Sequence, residues 1–427
     1  MGVGMTQPHI MVVNVYFAPN SYGGATVVAE EVARALAGRG CRITAVSMVC
    51  RGELAPYAVI KSEVGGITSY LVNLPARRST AEAYDNPAVA EALGALIDGE
   101  RPDLLHAHCV QDVGAGVIAV ARARDVPVVL SVHDFWWICS RQFMVTPDLR
   151  YCGQSPVRLE KCRGCVPDMS AARTRSAVLL RQAEMADAIT YPGRFARDLC
   201  EASGLAPGRG VIWPNGVRLP GPAFGKLQAA RRARDPQLAF GYLGGPSEIK
   251  GWPDIRAAFN GLKRSDFSVH LADGSTDGSW WRGADFSALP GDWRVHPRFS
   301  QEGMDAFYAQ IDVLLFPSQW KETFGLAIRE ALARGIRVIQ TDSGGTVEHG
   351  AADPAGLIPI GAGPGPLRAR IEEELRAGIR PMEPVPVTSF EDQAEAFLAL
   401  ARPLLGEISP PTATAQPARH GNWDSAA

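Results

Sequence analysis

The sequence predicts an α/β protein made of two doubly wound domains with mostly parallel sheets, and three observations carry that expectation. Short apolar runs rich in strand-forming residues alternate with longer stretches of helical period, the pattern of repeated βαβ units. The alternation halts at a Pro/Gly/Arg-rich stretch, 207–236, and then restarts. The length, 427 residues, corresponds to two or three domains at roughly 150 residues each.

In the first half, runs at 10–17, 43–49, 104–107 and 126–132 read as strands, and 25–37 and 113–123 as helices. In the second half, strands are expected at 238–243, 267–271, 313–316 and 338–341, with a last one at 357–360. Helices are expected there at 255–262, 304–310 and 326–333. Residues 390–405 carry apolar side chains at helical spacing and form a final helix able to pack on either domain. The boundaries that follow are a first domain at 9–206, a linker at 207–236, a second domain at 237–385, a C-terminal helix at 386–406 and a tail at 407–427. The tail is rich in Pro, Thr and Ala with almost nothing to bury, so it is expected to be disordered.

Composition narrows the function. Lys and Arg number 43 against 45 Asp and Glu, a formal net charge of −2, so the broad positive field of a dedicated nucleic-acid binder is absent. No apolar run approaches the roughly 18–20 residues that span a bilayer, and residues 1–8 do not resemble a signal peptide. The cytosol is therefore the expected compartment.

The candidate chemistry lies where strands end. Residues 20–26, Asn-Ser-Tyr-Gly-Gly-Ala-Thr, join a strand to a helix, a turn where small residues let backbone approach a ligand. His106 and His108 close one strand and His133-Asp134 another, which brings three imidazoles to the carboxyl edge of the first sheet, where ligand clefts open. A polar cleft lining explains them better than a metal site, with satisfied buried histidines as the plainer reading. In the second half, residues 244–251 place Lys250 and Gly251 in a strand-to-helix turn able to meet a phosphate. Glu322 and Glu330 are eight residues apart, about 12 Å if the segment were regular helix, a spacing suited to two ends of one ligand. The helix expected to start near Gly325 would offer free N–H groups to an anion between them.

Together these motifs make the chain resemble a family-4 type retaining glycosyltransferase of the GT-B fold, over about residues 9–405. The resemblance rests on Gly23-Gly24-Ala25, His108, His133-Asp134, Pro214-Asn215-Gly216-Val217, Lys250-Gly251, Glu322-x7-Glu330 with Phe324-Gly325, and Thr341-Asp-Ser-Gly-Gly345, in that order. It implies two Rossmann-like domains facing each other across a cleft and retaining transfer of a sugar from a nucleotide-sugar donor, with no cofactor needed for catalysis. It places Lys250 on the diphosphate, Glu322 near the donor sugar, Glu330 on the ribose and the amides around Phe324 and Gly325 on the phosphates. Thr323 and Leu326 fall in the same donor loop, and the backbone at Arg298-Phe299 meets the base. His133 and the Gly23-Gly24 loop close the site from the acceptor domain. The acceptor would be a glycan, a lipid-linked glycan or a small molecule. A nucleotide-sugar epimerase on the same fold, or a catalytically silent partner protein, are the competing readings.

One departure stands out: Gly245 occupies a position where the family commonly has an arginine. Arg298, Arg282 and Lys321 are the candidates to replace the missing cation. Two further features stand beside the resemblance. Cys139, Cys152, Cys162 and Cys165 share an irregular insertion, 139–165, and either hold a structural zinc or remain free or redox-paired thiols. Arg173, Arg175 and Arg181, and separately Arg231, Arg232 and Arg234, form basic clusters suited to a peripheral contact with anionic lipid, although a solvated face is the simpler account.

Overall fold

The computed structural model describes residues 7–406, so the expected tail at 407–427 lies outside the described residues. Two sheets organise the chain. The first contains β1 (His9–Val13), β2 (Arg42–Val49), β3 (Val59–Val64), β4 (Ile67–Asn73), β5 (Leu104–Ala107), β6 (Val128–Ser131), β7 (Ala188–Tyr191) and β8 (Gly210–Ile212). Its order is β3-β4-β2-β1-β5-β6-β7-β8, parallel throughout except for the β3–β4 hairpin. The second contains β9 (Leu238–Tyr242), β10 (Phe267–Ala272), β11 (Asp292–His296), β12 (Val313–Phe316) and β13 (Arg337–Gln340), all parallel, in the order β11-β10-β9-β12-β13.

Every residue of β1, β5 and β6 is buried, as is every residue of β9 and β10. Helices cover both faces of such strands, so they read as unbroken apolar runs instead of alternating ones. The last helix, Phe390–Ala401, starts in a capping box in which the Ser389 and Asp392 side chains each bond the other's backbone N–H. Its apolar stripe, Phe390, Ala394, Phe397 and Ala401, is buried with Ile10, Val12, Val28 and Leu36 of the first domain. Trp213 Nε1 donates to the Gln393 carbonyl at 3.0 Å, and Gly216 N donates to Gln393 Oε1 at 2.6 Å, so the chain after the first sheet is stitched to this helix.

Several expectations need correction. The stretch 207–236 is not an irregular linker, because Gly210–Ile212 adds a strand to the first sheet and Phe224–Arg234 is helical. The strand expected at 357–360 shrinks to a single bridge between Ile358 and Thr341, since Pro359 has no N–H to extend a ladder. Half of the two basic clusters turns inward, while Arg173, Arg181 and Arg234 are exposed. Arg175 turns inward, with its guanidinium 4.8 Å from the Trp136 ring and an Nη2 bond of 2.6 Å to the Trp136 carbonyl. Arg231 is buried against Asp312 at 2.7 Å, and Arg232 pairs with the same carboxylate at 2.8 Å. Among the described residues no helix is long and apolar enough to cross a membrane.

Candidate functional site

The site is built from loops at the carboxyl ends of β9 and β12, facing loops after β1, β5 and β6. After β9 the chain turns through 244–251 into the helix Trp252–Asn260. Gly251 has φ 82°, and a Cβ there would stand 2.0 Å from the Pro317 carbonyl oxygen, so only glycine lets this turn press against the loop after β12. Gln319 N completes the contact by donating to the Ile249 carbonyl at 2.8 Å. Tyr242 OH holds the other side of the turn through the carbonyls of Gly245 at 2.9 Å and Lys250 at 3.2 Å.

This juxtaposition fixes Lys250. Its Nζ is 2.9 Å from Glu322 Oε1 and 5.2 Å from the centre of the Trp320 ring. Glu322 accepts a second bond from Ser318 Oγ at 2.6 Å, and its backbone bridges to Gly344. Glu322 thus lies on an extended segment, and the helix begins only at Leu326, so the 12 Å estimate from regular helical rise does not apply. Glu330 is buried within that helix and accepts from Tyr308 OH at 2.7 Å. Burial raises its carboxyl above the ordinary range, against the opposing pull of Tyr308 and Arg334.

On the opposite wall, His108 Nδ1 and His133 Nε2 are 2.9 Å apart and their rings stack. Behind them His106 stacks on Phe397 at 4.3 Å and bonds Ser131 through Nε2, so the last helix seals this row of imidazoles. Burial pushes the His133 imidazole down to about 4, and His106 and His108 well below their ordinary value. All three are neutral at pH 7. Nδ1 of His133, Nδ1 of His106 and Nε2 of His108 are all enclosed with no hydrogen-bond partner among the described residues.

The two walls touch. Thr323 Oγ1 donates to the His133 carbonyl at 2.6 Å, and Arg298 Nη2 donates to the Ser21 carbonyl at 2.9 Å. Leu326 packs so close to Gly24 that a Cβ on that glycine would stand 2.8 Å from Leu326 Cδ1. Gly23, Gly24, Thr323 and Leu326 therefore sit where the walls meet. Phe324 is buried beneath Arg329, and Phe299 stacks on Phe307 at 5.2 Å, so these two side chains serve packing while their backbone remains at the site.

Sequence reasoning missed several residues. The Glu348 carboxylate accepts from Arg194 N and Phe195 N, both at 2.8 Å, capping the first domain's helix Arg194–Ala202 from the second domain. The insertion crosses the cleft too, because the Phe143 ring meets Trp320, the ring beneath Lys250, at 5.0 Å. Arg329 is buried and donates to the carbonyls of Phe324, Gly325, Gly345 and Glu348, tying the segment before helix Leu326–Leu332 to the Gly344-Gly345 turn. It lies between Glu322 and Glu330, but its inward direction depends on a helix start that spacing alone did not fix. Arg329→Ala strands these acceptors, and a loss of about 2–3 kcal/mol of stability is expected from hydrogen bonds to a charged group. Urea denaturation measures it, and an unchanged midpoint would mean that water replaces the guanidinium.

Lys321 is paired with Asp342 at 3.1 Å, Arg298 with Ser21, and Arg282 bonds the Asp277 carbonyl at 2.7 Å, so each of the cations proposed to replace the arginine is already engaged. Cys139, Cys152, Cys162 and Cys165 are all free and partly buried in one loop. Among the described residues no three or more His, Cys, Asp or Glu side chains are already grouped at metal-ligand distances. Cys139 follows the helical turn after β6, and Cys152 follows a bridge between Val145 and Tyr151. The pair Cys162 and Cys165 belongs to a separate turn, closed by a 2.9 Å bond from Cys165 N to the Cys162 carbonyl.

Comparison with known proteins agrees with this geometry. Residues 22–219 match the model of Glycosyltransferase Family 4, and residues 232–358 that of Glycosyl transferases group 1. A curated relative, D-inositol 3-phosphate glycosyltransferase from Nocardiopsis dassonvillei, is 26% identical over 376 residues, covering 82% of this chain and 80% of its own. Among solved structures, Anabaena HepE in complex with UDP-glucose superposes with a TM-score of 0.58 at 15% identity, covering 92% of this chain and 94% of its own. A trehalose-6-phosphate synthase studied for glycosyl transfer with retention has a TM-score of 0.58 at 13% identity, covering 94% and 99%.

Proposed function

Because the chain belongs to the family-4 type glycosyltransferases of the GT-B fold, we propose that it moves a sugar, with retention of anomeric configuration, from a nucleotide-sugar donor to a hydroxyl acceptor. The observation that carries this reading is the Lys250–Glu322 pair, a cation and a carboxylate 2.9 Å apart where the two walls meet. The donor diphosphate takes the Lys250 ammonium, and Glu322 is left beside the sugar, where positive charge grows at the anomeric carbon as the bond to phosphate breaks. The free oxygen of Glu330 meets the ribose, and the backbone at Arg298-Phe299 meets the base. His133, a neutral imidazole paired with His108, closes the site from the acceptor-side wall without adding charge.

UDP-glucose in HepE and the retention studied in the trehalose-6-phosphate synthase support these choices by likeness of fold. The acceptor is a glycan, a lipid-linked glycan or a small polyol such as the inositol phosphate named for the curated relative. Thermal shifts with UDP-, GDP- and ADP-sugars, followed by NMR of the anomeric proton in the product, test the reading. An inverted product overturns retention. Donor conversion without transfer points to the epimerase, and binding without turnover to a silent partner. Glu330→Ala is expected to weaken UDP binding roughly 10-fold through a lost charge-assisted bond. Unchanged affinity measured by calorimetry would remove Glu330 from the ribose.

A further inference from the structure

Gly245 raises the question of what fills the space of the absent arginine side chain, and the structure answers with an aromatic ring. A Cβ on Gly245 would lie 2.6 Å from Cε3 and 2.9 Å from Cδ2 of Trp280, and one on Gly274 would lie 2.7 Å from Cη2 of the same ring. The six-membered ring of the indole therefore presses on two glycines, one after β9 and one after β10, and a side chain at either place would collide with it.

The arrangement is held from both sides. The Asp273 carboxylate, itself buried, accepts from Ser275 N at 2.9 Å and from Ser275 Oγ at 2.5 Å, and Ser275 Oγ accepts from Ser279 N at 2.7 Å. Trp281 Nε1 anchors the end of the loop to the Ala272 carbonyl at 3.0 Å. Opposite, Tyr242 OH fixes the Gly245 carbonyl. Trp280 is only partly buried. A loop braced this way presents a preset aromatic surface.

Its position says what would meet that surface. In the sheet order β11-β10-β9-β12-β13, Lys250 and Glu322 follow β9 and β12, whereas Trp280 lies over the loops after β9 and β10. A donor with its diphosphate at Lys250, after β9, and its base at the backbone of Arg298-Phe299, after β11, passes the end of β10, where Trp280 stands. We infer that Trp280 is a donor-recognition residue whose indole stacks on the nucleobase. The inference rests on the donor-site reading above. Every nucleobase has a π-face, so stacking tolerates different bases and is insensitive to the phosphates.

Calorimetric titration with UDP and with UMP tests it, using wild type, Trp280→Ala, Trp280→Phe and Lys250→Ala, each checked for folding by circular dichroism. Trp280→Ala is expected to weaken UDP and UMP alike by roughly 10-fold, within the range of base–aromatic stacking, and Trp280→Phe to recover most of that. Lys250→Ala should weaken UDP more than UMP. Gly245→Arg should also weaken UDP, because its Cβ displaces the indole. Wild-type binding of UDP with folded Trp280→Ala binding equally well overturns the inference and leaves the donor site standing, and so does a loss confined to UDP. Tighter UDP binding by Gly245→Arg would likewise overturn it. Absence of nucleotide binding by the wild type, with UDP, GDP and ADP all tried, overturns the donor-site reading itself.

Discussion

Replacing Lys250 by alanine is expected to lower turnover by about 10²–10³-fold, the scale for removing one preorganised partner of a developing negative charge. Cleavage at the anomeric carbon leaves both bonding electrons on the diphosphate, so the ammonium interacts more strongly with the transition state than with the bound donor. Arg298, Lys321 and Arg282 each bond a group other than Lys250's partners, and the space beside Gly245 is filled by Trp280, so Lys250 is the cation held directly against Glu322. His133, held neutral by burial, supplies no charge. Lys250→Arg should recover only part of the rate, because a planar fork does not fit a point-charge site pressed between Glu322 and the Trp320 ring. Steady-state kinetics decide the matter. A loss confined to KM, with kcat intact, would mean that Lys250 only holds the donor.

The parts of this site that were legible in the sequence are those fixed by local backbone rules. Strand ends followed by glycine turns gave the Lys250-Gly251 loop and the two histidine strand ends, because parallel sheets place such loops at one edge. Long-range contacts were not legible. The reach of Phe143 to Trp320 and of Glu348 to the helix Arg194–Ala202 joins residues far apart in sequence, and no periodicity encodes it. The direction of an arginine is equally hidden, since Arg175, Arg231 and Arg329 all looked like surface cations or passed unnoticed, yet turn inward to bond carbonyls, rings or carboxylates. The β3–β4 hairpin is a different kind of miss: Gly65-Gly66 between two strand-like runs is a local turn signal that was available.

Acid should destabilise the protein steeply between about pH 6.5 and pH 4, the second large effect expected. All seven histidines within residues 7–406 have imidazoles pushed below the ordinary 6.5 chiefly by burial: His133 and His349 to about 4, His270 to about 3, and His9, His106, His108 and His296 in the same direction. Two contacts sharpen this, His108 with His133 at 2.9 Å and His270 with His296 at 2.8 Å, since protonating both members sets two N–H groups against each other. The sign follows from linkage. Below 6.5 the unfolded chain takes up protons that the folded chain refuses, so the stability present above that pH is lost as pH falls toward the depressed values. Burial raises the carboxyls of Glu31, Asp134, Asp254 and Glu330, which contribute the opposite slope, but these four are outnumbered by the seven histidines. With each histidine able to add up to about 1.4 kcal/mol per pH unit, a net slope of a few kcal/mol per unit follows, or roughly 5 °C in Tm per unit for a chain of this length. The C-terminal pair offers a control, because around it stand Arg294, Arg231, Asp235, Ser268 and Phe307, away from Lys250 and Glu322. His270→Asn should flatten the slope between pH 6.5 and 4.5 without changing activity at pH 7.5. Calorimetric scans that give the same Tm at pH 5 and pH 7 would show that these imidazoles are charged and solvated in the folded protein.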